Sequence, residues 1–575
     1  MAGPTGDRIL HVDMTTRRVS FEDYPEDWKL LGGRSLVARM LLERCEPTCD
    51  PLGPDNLLIM APGVLSGTAV PTSGRISFGC KSPLTGGAKE ANAGGEPGQH
   101  LMKLGIRAIC VKGQPDDSTR RYGLAIDAEG ARIVDATERA GKWNYELCEG
   151  LCAEYSSKAS FIVIGPAGEL GLKGASIACT DREPRLPTRH AARGGVGGVM
   201  GSKGLKYVAI EPGSAGVRKA GDPKAFSRKI KSFTKEWKSQ PNVFEIGTSS
   251  FVNVANLLVS LPTNNRRAGQ ADYAAGLDGT GIAESFESRG GGMHNCMTGC
   301  IIQCSNRVHG ADGEYKTSAL EFETLALLGS NCGIETWDDV ADLDRLCDDV
   351  GLDTIETGAA IGVYMDKGKL EYGDLAGMKR LFDEIASGSQ LGRMIGNGAA
   401  STGEAIGHDR IPVVKGQAIA AWEPRSLNAT GVTYATSPQG ADHTAGLILD
   451  PSIAPDKLAV TSQMMQLVVA AGDSSGCCLF LGVHLDDLRE LYGALYGIEV
   501  TRELIGDMAW QILEDEWAFN RRAGFTAADD HLPAWMATEG LGPNQVVFDV
   551  PDETIQSVYE RIPVGDELYT FVGTG

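Results

Sequence analysis

No stretch of the 575-residue chain approaches the roughly 18 apolar residues of a membrane span, and the opening MAGPTGDRILHVD shows no basic region followed by an apolar one. Membrane insertion is therefore not expected, and a cytoplasmic location is. Positive charge is scarce as well: 54 lysines and arginines against 75 acids leave a formal net charge of -21, which opposes phosphate backbones and anionic bilayers. Lysine and arginine read as scattered rather than gathered into a stripe, so nucleic acid is not expected as a partner. Nucleotide loops are missing too. In RGGVGGVMGSKG a dinucleotide motif starting at Gly195 would need glycine where Met200 stands, and GSK reverses the order that a phosphate loop requires.

What is present in excess is glycine, 74 residues, clustered in loops such as ANAGGEPG where backbone must approach something closely. The 14 cysteines, without a secretory leader, read as thiols or metal ligands of a reducing compartment rather than disulfides. Three of them stand four apart in HNCMTGCIIQC: Cys296, Cys300 and Cys304. On one helix, Cys296 and Cys304 would lie about 12 Å apart along the axis, too far for one metal centre. The polar neighbours Asn295, Gln303, Ser305 and Asn306 do not suit a core helix, so the chain is expected to break at Thr298 and Gly299 and wrap a soft metal. Two fourth ligands are open. His294 would complete a zinc site, whereas Cys477 or Cys478 in DSSGCCLF would complete an all-thiolate site for a 4Fe-4S cluster.

Length alone allows three or four domains. Residues 1–211 read mainly as strands, among them RILHVD, RVSFEDY, NLLIM, RISFGC, AICVKG, YGLAID, FIVIG and KYVAIEPG. After Gly213 the texture turns helical, beginning with DPKAFSRKIKSFTKEW behind a cap at Asp222 and including TWDDVADLDRLCDDVG and ELIGDMAWQILEDEWAFNRR. The fold expected is α+β and multidomain: a β-rich domain over 1–211, then two mainly α-helical domains over 212–410 and 411–575, divided near a glycine-rich passage at 385–412. The pattern D-x-x-G-[LC]-[DC] occurs twice, from Asp348 to Asp353 and from Asp473 to Cys478, a form that also suits a helix C-cap.

Eight ordered stretches resemble the tungsten-containing aldehyde:ferredoxin oxidoreductase family: PTSGRISFGCKSPLTGG, EANAGGEPG, RHAARGGVGGVMGSKGLK, EFETLALLGSNCGI, LCDDVGLDT, YATSPQGADH, DSSGCCLF and FNRRAGF. The resemblance implies a tungsten (or molybdenum) centre held by two pterins, a 4Fe-4S cluster beside it, and an N-terminal β-rich domain shaped as a saddle under the pterins. Carried over position by position, it implies that Arg75, Asn92, Gly94, Gly95, Arg189 and the backbone near His190 contact the pterins and the Mg2+ that bridges their phosphates. Glycine-rich turns and a bidentate arginine suit phosphate. It further implies Asp348 and Asp353 on one pterin ring system, Asp473 on the other, and Cys296, Cys300, Cys304 and Cys478 as cluster ligands.

The chain departs from the family in three places. The first three cysteines are spaced C-x-x-x-C-x-x-x-C, one residue longer around Thr298 than C-x-x-C-x-x-x-C. Asp342 and Arg345 replace an E-x-x-H that binds a metal at the dimer interface in some members, so a homodimer stays open but an iron-bridged one is not expected. The tail beyond about residue 540 is short and does not match. The leading function is oxidation of a small aldehyde to a carboxylic acid, with electrons leaving through the cluster to ferredoxin or a ferredoxin-like subunit. Glu323, in otherwise apolar surroundings, is the expected general base and His443 the donor to the developing oxyanion. Two alternatives remain: low-potential reduction of an activated aromatic or other carboxylic acid derivative, for which Cys332 would stand in as metal ligand, and a zinc-stabilised binding module without redox activity.

Overall fold

The computed structural model describes residues 6–563 and 565–572. Its N-terminal part contains two six-stranded sheets. The first runs in the order Arg18–Asp23, Arg8–Asp13, Ile106–Lys112, Leu58–Pro62, Ile76–Lys81, Ala88–Ala93. The second runs Arg189–Ala191, Ile177–Cys179, Ser160–Val163, Leu205–Ile210, Tyr122–Asp127, Gly130–Asp135. Both are mixed, with Arg8–Asp13 parallel to Ile106–Lys112 and Tyr122–Asp127 parallel to Leu205–Ile210.

Strand alternation explains the layering. Leu10, Val12, Met60 and Phe78 of the first sheet share a core with Leu124, Ile126, Ile162 and Val208 of the second. The alternate residues Ile9, Ile59 and Ala108 face outward and are covered by Leu36, Val37, Met40 and Leu41 of the helix Gly33–Arg44. The far face of the second sheet is covered in the same way by Leu147, Cys148 and Leu151 of Asn144–Glu154. The strand-rich half therefore carries helices that the sequence reading did not separate from its loops.

The remainder is helical apart from a two-stranded ribbon and a three-stranded sheet of Gly292–His294, Ser305–His309 and Tyr315–Ser318. The Asp222 cap is as expected: its carboxylate accepts from the Lys224 and Ala225 amides at the head of Pro223–Lys238. The scattering of cations is corrected here. Six of the 16 residues of that helix are Lys or Arg, only Glu236 is acidic, and its apolar Phe226 and Phe233 are buried. Charge was legible but its concentration on one exposed helix was not. The glycine-rich passage contains two helices, Gln390–Gly396 and Gly398–Ile406. Among the described residues no helix is long and apolar enough to cross a membrane.

One crossing positions the functional centre. The turn Ser474–Gly476, at the end of the helix Leu458–Ser475, lies on the segment that follows strand Leu58–Pro62. The Val64 and Leu65 amides donate to the Ser474 and Ser475 carbonyls at 3.1 and 2.9 Å, and Arg75 N donates to Gly476 O at 3.1 Å. A β-carbon on Gly63 would stand 2.1 Å from Gly476 N. Gly63→Ala is thus expected to cost more than about 4 kcal/mol, beyond the usual range for point substitutions. The check is soluble yield and melting temperature; a variant as stable as the parent would place this crossing elsewhere.

Candidate active site

The cysteine stretch is not helical: Asn295–Cys304 forms the loop between the first two strands of the three-stranded sheet. Thr298 and Gly299 make its turn, with Gly299 at φ +79. Glu96 holds that turn, accepting from Thr298 N at 2.6 Å and from its hydroxyl at 3.0 Å.

Four thiols converge on this loop. Cys296 donates to Cys300 and lies near Cys304; Cys304 lies near Cys300 and Cys478, and Cys478 near Cys300. The hydrogen bond from Cys296, helped by the Gln303 and Ile302 amides and the Thr72 hydroxyl, holds the Cys300 thiol below its ordinary range, while burial pushes Cys304 and Cys478 up. Amide donors aimed at sulfur are what a cluster ligand requires. Cys477 differs: its amide bonds Ser475 and its thiol lies beside Tyr492, on the other side of the chain. His294 also differs, facing Asp181 at 3.4 Å. Of the two adjacent cysteines it is Cys478 that faces Cys300 and Cys304, and among the described residues no three His, Cys, Asp or Glu side chains close on one point as a single ion would need.

Thr72 ties the two cysteine segments together. Its amide donates to Gly299 O at 3.1 Å, its carbonyl accepts from Cys478 N at 3.0 Å, and its hydroxyl accepts from Ile301 N at 3.0 Å. Next to it, Arg75 reaches 3.9 Å from the Cys478 sulfur and donates to Asn92, whose amide donates to Asp473 at 2.9 Å. Arg34 lies 3.6 Å from Asp473 and forms a two-pronged pair with Glu516 at 2.8 Å. Burial first, then the neighbouring Glu90, pushes the Asp473 carboxyl well above its usual range against the pull of Arg34 and Arg75. A carboxyl so placed is ready to pair with a polar ring system. Gly94 abuts Met297 and the Cys296 sulfur, and Gly95 takes φ +92, a left-handed turn that turns the chain against the Thr180 carbonyl. Arg189 is buried and donates to Ser305 at 2.8 Å.

The other aspartates form a second group. His190 lies 3.1 Å from Asp348 and is steadied by Ser176 at 2.8 Å. Asp353 caps the helix Thr354–Asp366 and lies 3.4 Å from Arg193. Gly351 and Gly476 both take left-handed C-cap conformations, so the repeated motif is a pair of helix ends as well as a pair of carboxylate positions.

Glu323 and His443 meet in a third group. Glu323 Oε2 accepts from Ala421 N at 2.7 Å, while Oε1 stands 3.6 Å from His443 Nε2. Their side chains are 13% and 20% exposed, and Glu323 Oε1 and His443 Nδ1 are buried without hydrogen-bond partners. Leu325–Gly329, beginning two residues after Glu323, is a π-helix, a distortion that recurs at functional sites. Behind His443, the Asp442 carboxylate is fully buried 2.5 Å from Lys89 Nζ. Burial alone would raise it, but Lys89, Arg193 and His443 outweigh burial and hold Asp442 well below the usual carboxylate range. Glu356, between the Ala399 and Ala418 amides, is pushed up to about 7 by burial.

Lys89, Arg193, Asp442, Glu96 and Thr72 were not singled out from sequence. Lys89 and Asn92 belong to one strand, and alternation sends Asn92 toward Asp473 and Lys89 toward Asp442. A lysine in a strand is ordinarily solvated, so its burial had no local signal. Cys332, Asp342 and Arg345, also weighed from sequence, are engaged within the chain. Cys332 is fully buried and directed at the Leu327 and Gly358 carbonyls at 3.3 and 3.4 Å, away from Glu323. Asp342 is held by Lys316 and Lys379 at 2.6 and 2.7 Å, and Arg345 stacks on Tyr145.

Residues 9–212 match the profile of the aldehyde ferredoxin oxidoreductase N-terminal domain, and residues 226–562 match that of aldehyde ferredoxin oxidoreductase domains 2 and 3. The tungsten-containing aldehyde ferredoxin oxidoreductase of Pyrococcus furiosus is 32% identical over 580 residues, covering 94% of this chain and 93% of the relative. That of Thermococcus kodakarensis is 32% identical over 579 residues with the same coverage. The aliphatic sulfonate oxidoreductase WOR-like subunit of P. furiosus is 29% identical, over 86% of this chain and 82% of the relative. Among solved structures, the active site complex BamBC of benzoyl coenzyme A reductase with 1,5-dienoyl-CoA has the same fold, with TM-score 0.81 at 19% identity over 96% of this chain and 92% of that chain.

Proposed function

Because the chain belongs to the aldehyde ferredoxin oxidoreductase family, and is an oxidoreductase on that ground, we propose that it oxidises a small aldehyde to the carboxylic acid and delivers the electrons to a ferredoxin-type acceptor. The observation that carries the reading is the Glu323–His443 pair, two half-buried groups whose Oε1 and Nε2 stand 3.6 Å apart, with Oε1 and the histidine's Nδ1 each lacking a hydrogen-bond partner. Tungsten bis-pterin and a 4Fe-4S cluster, when bound, supply the two-electron oxidation and its release as single electrons. The residues fit both groups: four converging thiols for the cluster, and Arg75, Asn92, Gly94, Gly95, Arg189, His190, Asp348, Asp353 and Asp473 for the pterins and a bridging Mg2+.

Aldehyde and water give carboxylic acid, two protons and two electrons. Glu323, fixed through Oε2 by the Ala421 amide, keeps Oε1 to take a proton from water as it adds to the carbonyl carbon. A histidine N–H from His443 stabilises the charge that grows on the carbonyl oxygen. The buried Lys89–Asp442–Arg193 group fixes the backbone that carries His443. Reduction of an activated aromatic acid finds no comparable support, since Glu323 holds the site and Cys332 is turned to backbone carbonyls.

Anaerobically purified protein is expected to contain one tungsten (or molybdenum) and about four irons per chain, because four thiolates hold one cluster. Elemental analysis with an aldehyde panel and a viologen acceptor checks this. Stoichiometric zinc without iron would overturn the cofactor assignment, and full metal content without aldehyde turnover would overturn the substrate.

A further inference from the structure

We propose that the exposed face of the helix Pro223–Lys238, with the apolar groove beside it, is the docking surface for an acidic iron–sulfur electron carrier. The inference deepens the functional reading above and rests on its acceptor. Lys224, Arg228, Lys231, Lys235 and Lys238 are exposed, and among the described residues none has a carboxylate within ion-pair distance; the sixth cation, Lys229, pairs with Asp487 and Glu490 at 2.8 and 3.3 Å. On a chain of net charge -21, such a patch is where an acidic partner is attracted while the rest of the surface repels it.

The groove beside the helix has a volume of about 360 Å3 and is lined by Phe233, Trp237, Val243, Phe244, Phe480 and Leu481. Val243 is 63% exposed, an apolar side chain left to solvent at the rim. Its floor reaches the thiols through very little protein. Phe480 and Leu481 follow Cys478 in sequence, Phe244 stacks on Phe480 with centroids 4.3 Å apart, and Asn242 donates to Ile302 O at 3.1 Å between Cys300 and Cys304. A carrier seated here would rest on Phe480, two residues after Cys478, and on Asn242, which bonds the residue midway between Cys300 and Cys304. A lipid surface fits less well, because Phe226 and Phe233, the apolar side of the helix, are buried against the body of the protein and cannot insert.

The test uses the cofactor-loaded enzyme and a variant carrying Arg228→Glu, Lys231→Glu and Lys235→Glu. Stopped-flow reduction of the oxidised cluster by a pre-reduced acidic ferredoxin needs no aldehyde, so this result and the substrate assignment stand or fall separately. The second-order rate at low ionic strength should fall at least tenfold in the variant and lose most of its salt dependence, while reduction by a small viologen dye stays at the parent rate. A parent-like rate with ferredoxin would overturn the proposal. So would an unchanged ferredoxin rate accompanied by loss of phosphatidylserine-vesicle binding or by a changed native mass, which would assign the face to lipid or to a second copy of the chain.

Discussion

Cys478→Ala is expected to remove the iron–sulfur centre entirely, while Cys477→Ala keeps it. The two cysteines are adjacent, so a general disturbance of the turn would affect both alike. Their surroundings separate them. Cys478 lies among Cys300, Cys304 and Arg75, and its amide is fixed by the Thr72 carbonyl. Cys477 lies beside Tyr492, and its amide is fixed by Ser475. Removal of one of four thiolates leaves an open iron, so iron content should fall from about four per chain to near zero, with loss of the brown absorbance and of all ferredoxin-linked turnover. Removal of Cys477 leaves a cavity of one sulfur in an apolar cluster, a cost of order 1–2 kcal/mol in stability and nothing in iron. Iron analysis and visible spectra of the two variants decide the matter, and a colourless Cys477→Ala protein with a brown Cys478→Ala would move the ligand by one residue.

Glu323→Gln and His443→Ala are each expected to lower aldehyde turnover by about 10² or more with tungsten, pterin and iron contents unchanged. The glutamine keeps the shape and the hydrogen bond from Ala421 but cannot take a proton at the position of Oε1. The alanine removes the donor beside it. His443 sits one residue from Asp442, which is buried against Lys89, so the control for mere structural damage is Asp442→Asn: it should lower stability and cofactor retention, as breaking a buried ion pair does, at a cost of about 3–5 kcal/mol. Parent-like turnover of both Glu323→Gln and His443→Ala with an acceptor dye would sink the assignment of the pair without touching that of the cluster.

Much of this was legible in sequence for reasons that can be named. The order of strands then helices followed from residue alternation and from capping residues such as Asp222. The need to break the chain at Thr298 and Gly299 followed from helix geometry alone, and the loop at Asn295–Cys304 bears it out. Burial was not legible where it contradicts residue type. Arg193 sits in a stretch whose resemblance to the family was plain and Lys89, with a side chain fully out of solvent, falls just outside one, and only the three-dimensional meeting with Asp442 shows that they form a group. The helices on the outer faces of the two sheets escaped as well, because segments such as GRSLVARMLLER are buried on most sides and have almost no periodic contrast to read.

The contacts of Thr72 bear on how the protein is made. A residue from the first part of the chain bonds Gly299 and Ile301 in the middle and Cys478 near the end. During synthesis Cys296, Cys300 and Cys304, three of the four proposed ligands, leave the ribosome long before Cys478, and the β-rich half can fold while that set is still incomplete. If the proposed cluster is held as above, its iron can enter only once the turn at Ser474–Gly476 has settled on Gly63, because that docking brings Cys478 to the other three thiols. On that order, a truncation before Asp473 should be colourless, and cells starved of iron should accumulate full-length chains in which the turn has docked on Gly63 but the cluster is missing.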